Sequence, residues 1–284
     1  MKIKNNLFEF RFCYFLLLIS FLSANFVQAQ DQLKILQYNV LEGFKGDSLI
    51  QNQYIAWVKE INPDIVAYQE MNGFTQKKLE NFASRYGHDY AVLLKTEGYP
   101  VALSSKFPIL NVQKVIDNMH HGYIYAHTAN LHLFVIHFSP HQWTKRKAEV
   151  QQILAHAALL PQNERILITG DFNSYSPSDS AIYDKERLKS YTLYEGKNKH
   201  IRNLKDGKFD YSVIASIEKA GYKDLFKRFH NDFIQSSVGS RQRIDFMFGN
   251  KAMVKGVLSS EFIIDSATQK LSDHFPTLGV FKFK

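Results

Sequence analysis

Cysteine is almost missing: the 284 residues hold one, Cys13, so a disulfide framework and a cysteine metal site are both excluded. Glycine and proline are sparse, at 14 and 7 residues, which excludes collagen-like and low-complexity chains. No sustained heptad pattern occurs, which excludes a coiled coil. Long hydrophobic runs are also lacking. The single candidate, residues 12–22 (FCYFLLLISFL), is too short to span a bilayer comfortably, so a multi-pass membrane protein is excluded.

That run follows Lys2, Lys4 and Arg11 and precedes SANFVQAQ. A basic start, an apolar run of about 7–15 residues and small residues after it describe a secretory signal. Cleavage is expected near Ala29, leaving residues 31–284 as one domain in a secreted or periplasmic protein. A retained anchor is the alternative, though such anchors ordinarily need ~20 apolar residues. Removing residues 1–30 takes away three basic residues and Glu9, so the formal charge falls from +8 to +6. A basic balance suits an anionic substrate but does not identify one.

No internal repeat or linker divides the remaining chain. Short apolar runs at 33–40, 65–68, 101–104, 131–136, 166–169, 244–248 and 278–281 are expected as buried strands. Helical periodicity falls at 52–61, 76–85, 144–160 and 213–221. In 144–160 the expected buried stripe is Ala148, Ile153, Ala157 and Leu160, with Lys145, Lys147 and Glu149 outward. Residues 183–211, rich in Lys and Asn, read as a long surface excursion. Irregular alternation of strands and helices favours sheets covered by helices on their outer faces.

Polar residues recur where the apolar runs end, and a strand end is a rigid place from which to aim a side chain. The first run ends in Asn39, the second in Glu70 and the fourth in His137. Another ends in Asp171-Phe172-Asn173, Asp245 opens a sixth, and Ser272-Asp273-His274 precedes the last. Each residue alone has an ordinary explanation as a turn, cap or rim residue. Together they fit phosphate-ester hydrolysis. A hard divalent cation takes carboxylate oxygens, which Glu70 and Asp273 supply. Asp171 or His274 could deprotonate or position a water. Asn39, Asn173 and His137 suit the charge that develops on phosphate oxygens. Asp245 could hold the His274 imidazole in one tautomer.

In this order, Asn39, Gln69-Glu70, His137, Gly170-Asp171-Phe172-Asn173, Arg243-Ile244-Asp245-Phe246 and Ser272-Asp273-His274-Phe275-Pro276 resemble the endonuclease/exonuclease/phosphatase superfamily. The resemblance spans residues 33–281, nearly the whole mature chain. It implies an α/β fold, a two-sheet sandwich with helices on both outer faces and the site at one edge between the sheets. It also implies that Glu70 binds Mg²⁺ or Mn²⁺, with Asn39 and Asp273 near the metal. Asp171 would act on the nucleophilic water and Asn173 would contact the phosphate. His137 and the His274–Asp245 pair would contact the scissile phosphate and assist proton transfer.

Departures narrow the subfamily. Leu41 stands where apurinic endonucleases of this fold carry an acid, and Ser174-Tyr175 does not continue their longer motif. Ile136 stands where threonine is frequent, which implies one lost phosphate-side hydrogen bond. The inositol-polyphosphate 5-phosphatase signature is missing around Arg243. The IHFSPH segment around His137 is similar to the secreted deoxyribonucleases, without the disulfides of the animal enzymes.

Nucleic acid is therefore the first expected substrate, with phosphomonoesters and phospholipid headgroups as alternatives. Lys145, Arg146 and Lys147, with Arg241 and Arg243, could neutralise phosphates of a polymer. Lys145 to Lys147 fit a solvated helix face equally well. His121, within His120-His121-Gly122, either lines the cleft or belongs to an ordinary loop. No HExxH motif supports a zinc hydrolase, and the metallophosphatase motifs of the calcineurin type are missing. A binding module that kept the fold and lost turnover is the rival from another class. The expected state is a monomer.

Overall fold

The computed structural model describes residues 32–283; the signal expected at 1–30 lies outside them. In chain order the elements are β1 (Leu33–Asn39), α1 (Ser48–Ile61), β2 (Ile65–Gln69), α2 (Gln76–Ser84), β3 (Tyr90–Leu93), β4 (Ala102–Ser105), β5 (Leu110–Val115), β6 (Tyr123–Thr128) and β7 (Leu131–His137). There follow α3 (Trp143–Ala158), β8 (Ile166–Asp171), α4 (Lys185–Lys197), β9 (Leu204–Lys205), β10 (Lys208–Phe209) and α5 (Ser212–Lys219). The last are β11 (Lys223–Asp224), β12 (Asp245–Gly249), β13 (Val257–Phe262) and β14 (Thr277–Phe281).

Two six-stranded sheets form, ordered β13-β14-β1-β2-β4-β3 and β11-β12-β8-β7-β6-β5. Each is antiparallel except for one central parallel pair, β1 with β2 and β7 with β8. The two-residue side-chain period divides every central strand between two cores. Ile35, Ile65, Ala67, Leu103, Leu133, Val135, Leu167 and Met247 fill the space between the sheets. Leu36, Tyr38, Val66 and Tyr68 face outward beneath α1 and α2. Phe134, Ile136, Ile168, Phe246 and Phe248 face outward beneath α3 and α5. The result is the expected sandwich with helices on both outer faces.

Two expectations are corrected. Residues 183–211 lie at the surface as expected but are not an unstructured loop, because Asp184 caps a 13-residue helix, α4, by accepting from Arg187 N. Leu188 and Tyr191 pack it onto a small cluster of Tyr175, Tyr183, Leu204 and Phe209. The buried stripe of α3 also runs differently. Ala148 is exposed, whereas Arg146, Glu149, Val150, Ile153 and Ala157 are buried.

Beneath α1 and α2 a hydroxyl chain crosses the apolar core. Tyr54 meets Tyr68 at 2.7 Å, Tyr68 meets Tyr86 at 2.6 Å, and Tyr86 meets Ser104 at 2.9 Å. His88 closes it, with Nδ1 on Ser104 Oγ and Nε2 on the Pro63 carbonyl, both at 2.9 Å. Burial lowers the His88 pKa to about 4. The unfolded chain therefore takes up the proton first, so His88 costs stability as the pH falls from ~6.5 to the folded value. Between pH 7 and 5 this costs ~2 kcal/mol, or roughly 4–8 °C in melting temperature. Thermal melts of His88→Gln should show an acid-side slope flatter by that amount. An unchanged slope would mean that His88 titrates normally.

Candidate active site

Along the inner faces of the central strands, apolar residues give way to polar ones at one end only. On β1 the inward row is Ile35, Gln37, Asn39, and on β2 it is Ile65, Ala67, Gln69. On β7 it is Leu133, Val135, His137, on β8 Leu167, Thr169, Asp171, and on β12 Met247 leads to Asp245. Register then joins them. Asn39 lies opposite Gln69, while Asp171 lies between His137 and Asp245. Strand order and alternation thus bring residues more than a hundred positions apart to one edge of the sandwich.

Several backbone positions hold this edge under strain. Glu70 and Asn173 have φ of 62° and 46°, in the left-handed region that non-glycine residues seldom enter. Gly170 has φ of 145°, and a Cβ there would stand 2.0 Å from the Ile136 carbonyl oxygen. Glycine is required for β8 to approach β7 so closely just before Asp171. After Asn39 the chain makes a left-handed turn, with φ between 45° and 66° from Leu41 to Lys45.

Asn39 Nδ2 donates to both Glu70 Oε1 at 3.0 Å and Asp171 Oδ2 at 3.1 Å. The left-handed turn aims the Glu42 N–H at Glu70 Oε2, 3.0 Å away. Asp171 Oδ1 accepts from Asn173 N at 2.8 Å. His274 Nδ1 donates to Asp245 Oδ2 at 2.8 Å, leaving Nε2 3.8 Å from Asp171 Oδ2. His137 Nε2 approaches the same oxygen to 3.7 Å, outside hydrogen-bond range.

These groups shift one another's proton affinities. Burial, reinforced by the nearby Asp245 charge, pushes the Asp171 carboxyl well up. Burial works against a charged His274, but Asp245 outweighs it and holds the imidazole up to about 10. Burial also raises Glu70 and keeps His137 neutral. The His274–Asp245 pair is therefore a cationic donor aimed at the cleft. Asp171, when ionised, is a carboxylate with a raised affinity for a proton.

Glu70, Asp171 and Asp245 face a single compensating cation, His274, among the described residues closest to them. This excess of buried negative charge, carried on hard oxygen atoms, fits a divalent cation of the Mg²⁺ class. Glu70 would hold it, with the Asn39 amide beside it and the exposed Asp273 carboxylate adding negative charge. When bound, such an ion supplies charge neutralisation to phosphate oxygens.

The remaining expected residues divide. His121 belongs to the cleft: its ring stacks on His137 at 4.1 Å, its Nε2 has no partner, and burial lowers it to about 3. Asn173 donates to the Phe138 carbonyl and lines a cavity of about 440 Å³ with Arg146, Tyr175, Tyr191, Tyr194 and Ile244. Arg146 lines the wall of that cavity beside Asn173. It is buried, and Nη1 donates to Ser139 O and Asn203 Oδ1.

Other members of the expected basic cluster are engaged elsewhere. Lys145 and Lys147 bond to the Asn118 and Ser212 carbonyls, and Arg243 is fully buried between Asp179 and Asp224 at 2.7 Å each. Ile136 faces the core beneath α3, so its side chain has no phosphate to reach. The hydrogen bond expected to be lost there is not one that position 136 offers.

Two supporting residues, Gln37 and Ser236, escaped the sequence reading, and Ser272 was read there only as part of a motif. Buried Gln37 donates to Gln69 Oε1 at 2.7 Å and Asp245 Oδ1 at 3.0 Å, fixing the carboxylate behind His274. Ser236 Oγ accepts from Ile244 N and Asp245 N, and Ser272 Oγ donates to the Asn39 carbonyl at 2.7 Å. Inward parity with Ile35 and Asn39 could have found Gln37; nothing local marks Ser236.

A two-sheet sandwich carrying this carboxylate–amide–imidazole set at one edge defines the deoxyribonuclease-like class of phosphoesterase folds. Residues 36–274 match the Endonuclease/Exonuclease/phosphatase family, and the chain belongs to it. Among solved structures it is similar to an AP endonuclease from Archaeoglobus fulgidus, at 21% identity and a TM-score of 0.68. That match covers 88% of this chain and 100% of the other. A 3′ phosphatase, NExo, from Neisseria, bound to a product DNA hairpin, is 18% identical with the same TM-score and coverage. A 3′-5′ exonuclease (NExo) from Neisseria meningitidis is 17% identical, with a TM-score of 0.65 over 88% of this chain and 100% of that one. No curated protein matches the sequence.

Proposed function

We propose that this protein is an exported, divalent-metal-dependent phosphodiesterase acting on nucleic acid. The observation that carries this reading is the constellation of Asn39, Glu70, Asp171 and the Asp245–His274 pair around one cleft. Asp171 orients a water and takes its proton; its raised proton affinity makes it a better base near neutral pH. The His274 cation, steadied by Asp245 and through it by Gln37, donates Nε2–H to the charge that grows on the scissile phosphate. His137, neutral and stacked against His121, contacts the phosphate from the opposite side of Asp171. Glu70, with Asn39 and Asp273 beside it, would hold a Mg²⁺ or Mn²⁺ ion, which would supply the compensating charge.

The cavity beside Asn173, walled by Tyr175, Tyr191, Tyr194 and Ile244, supports a substrate with an organic group next to the scissile phosphate. Nucleic acid fits this; of the similar proteins, one is described as a 3′ phosphatase bound to a product DNA hairpin and another as a 3′-5′ exonuclease. With Arg243 held between two aspartates, Arg146 on the wall of that cavity and half-buried Lys95 beside His121 remain to meet the backbone.

The test is a Mg²⁺ activity panel of plasmid DNA, RNA, bis-p-nitrophenyl phosphate, p-nitrophenyl phosphate and sphingomyelin. It should be run on protein recovered from the periplasm or medium, whose N-terminus is expected near residue 30 or 31. Nucleic acid and the diester should turn over, and EDTA should abolish the activity. With about two neutralised phosphates, DNA affinity should fall ~10-fold between roughly 50 and 200 mM salt. Turnover of the monoester or lipid alone would refute the nucleic-acid assignment, and full activity in EDTA would refute the metal.

A further inference from the structure

A second cluster of metal-binding side chains lies at the other end of β7. His127 on β6 and His132 on β7 stand directly opposite each other. The hairpin between them turns through Ala129 and Asn130, whose φ values of 49° and 58° give the two-residue turn that pins an antiparallel register. The His132 N–H points away from β6, to the Arg165 carbonyl at 2.8 Å. His127 and His132 are thus a non-hydrogen-bonded pair, the kind whose side chains lie closer together. Their rings are 5.0 Å apart.

Glu164 reaches the pair from the turn before β8, where its carbonyl is held by Asn250 Nδ2 at 2.8 Å. Its Oε2 lies 2.8 Å from His132 Nε2, while His132 Nδ1 meets the Tyr125 hydroxyl, also at 2.8 Å. One ligand atom from each of His127, His132 and Glu164 lies within 4.8 Å of both others. The adjacent cation does not compete for the carboxylate, because Arg165 lies over the Phe283 ring, 4.0 Å from its centroid.

We propose that His127, His132 and Glu164 bind a zinc-class divalent ion at a site separate from the active site. Two imidazole nitrogens and one carboxylate are a borderline donor set, suited to Zn²⁺ rather than to Mg²⁺. Ligands ~2.0–2.1 Å from a tetrahedral zinc lie roughly 3.3 Å from one another. Small rotations of the half-buried His127 ring and of the long Glu164 side chain would bring the three atoms to that spacing. Tyr125 supplies the outer hydrogen bond that sets the ring orientation of a ligating histidine. The fourth position is open to solvent beside exposed Glu164.

His132 faces the outer surface of its sheet, with Phe134 and Ile136, whereas His137 faces the cleft. Five residues of strand put the two about 17 Å apart along β7. The ion therefore ties the β6–β7 hairpin to the entry of β8 and takes no part in hydrolysis.

Equilibrium dialysis of the full chain against zinc in excess Mg²⁺, followed by metal analysis, tests this. His127→Gln and Glu164→Gln alter half-buried and exposed positions, and melting without zinc verifies that each folds. Wild type should retain one zinc more per chain than either variant, and micromolar zinc should raise only the wild-type melting temperature. The apparent zinc Kd should weaken ~100-fold or more in both variants, with Mg²⁺-supported hydrolysis unchanged. Equal zinc retention in all three proteins overturns the proposal and leaves a Tyr125–His132–Glu164 hydrogen-bond relay. A fall in hydrolysis that follows zinc loss overturns the separation of the two sites.

Discussion

Asp171→Asn is expected to lower kcat by ~10³-fold or more while leaving the fold intact. Asparagine has the same shape and cannot accept a proton. Oδ1 keeps its hydrogen bond from Asn173 N, and β8 is fixed by pairing to both β7 and β12. Burial already favours an uncharged side chain here, so the replacement costs chiefly the bond from Asn39 Nδ2 to Oδ2, about 1–2 kcal/mol. The melting temperature should therefore stay within a few degrees. His274→Ala should also lower kcat greatly, because it removes the one cation among these carboxylates. Hydrolysis of bis-p-nitrophenyl phosphate and thermal melts of both variants decide the matter. If both unfold, the strand-end groups serve the fold and the catalytic assignment falls.

Glu70→Gln is expected to weaken Mg²⁺ binding and to lower the rate by ~10²-fold at fixed metal concentration. Its carboxylate accepts only neutral donors, the Asn39 amide and the Glu42 N–H, and burial has raised its pKa. A bound cation would supply the partner it lacks. Raising Mg²⁺ or Mn²⁺ should then restore part of the Glu70→Gln activity and none of that of Asp171→Asn. A Glu70→Gln enzyme with wild-type metal dependence would remove Glu70 from the metal. Equal rescue of both variants would merge the two roles.

How far the sequence carried depends on where each residue sits. β1, β2, β4, β7, β8, β12 and β14 were legible because central strands of two packed sheets are apolar on both faces, and an unbroken apolar run survives in the sequence. Edge strands carry no such run. In β5, Leu110 to Lys114 are exposed, and β13 alternates irregularly around a bulge, so neither stood out. α4 went unread because none of its residues is buried and its periodicity is weak.

The strand-end residues Asn39, Glu70, His137, Asp171, Asp245 and His274 were legible as types in an order, since a polar break at the end of a buried run needs a reason. Their partnerships were not. That Asn39 bridges Glu70 and Asp171, or that Gln37 braces Asp245, follows from strand order and register, which join positions up to 208 residues apart. The basic residues show the same division. Arg243 and Arg146 count as positive charge in any composition, yet burial turns the first into a strut between two aspartates and the second into a cavity wall. Residue chemistry and alternation are local, so the sequence alone determined the family and supplied the candidate reacting groups. Pairing, burial and the approach of β8 to β7 at Gly170 are long-range, so only the tertiary structure decided which charges face the cleft and which lie inside.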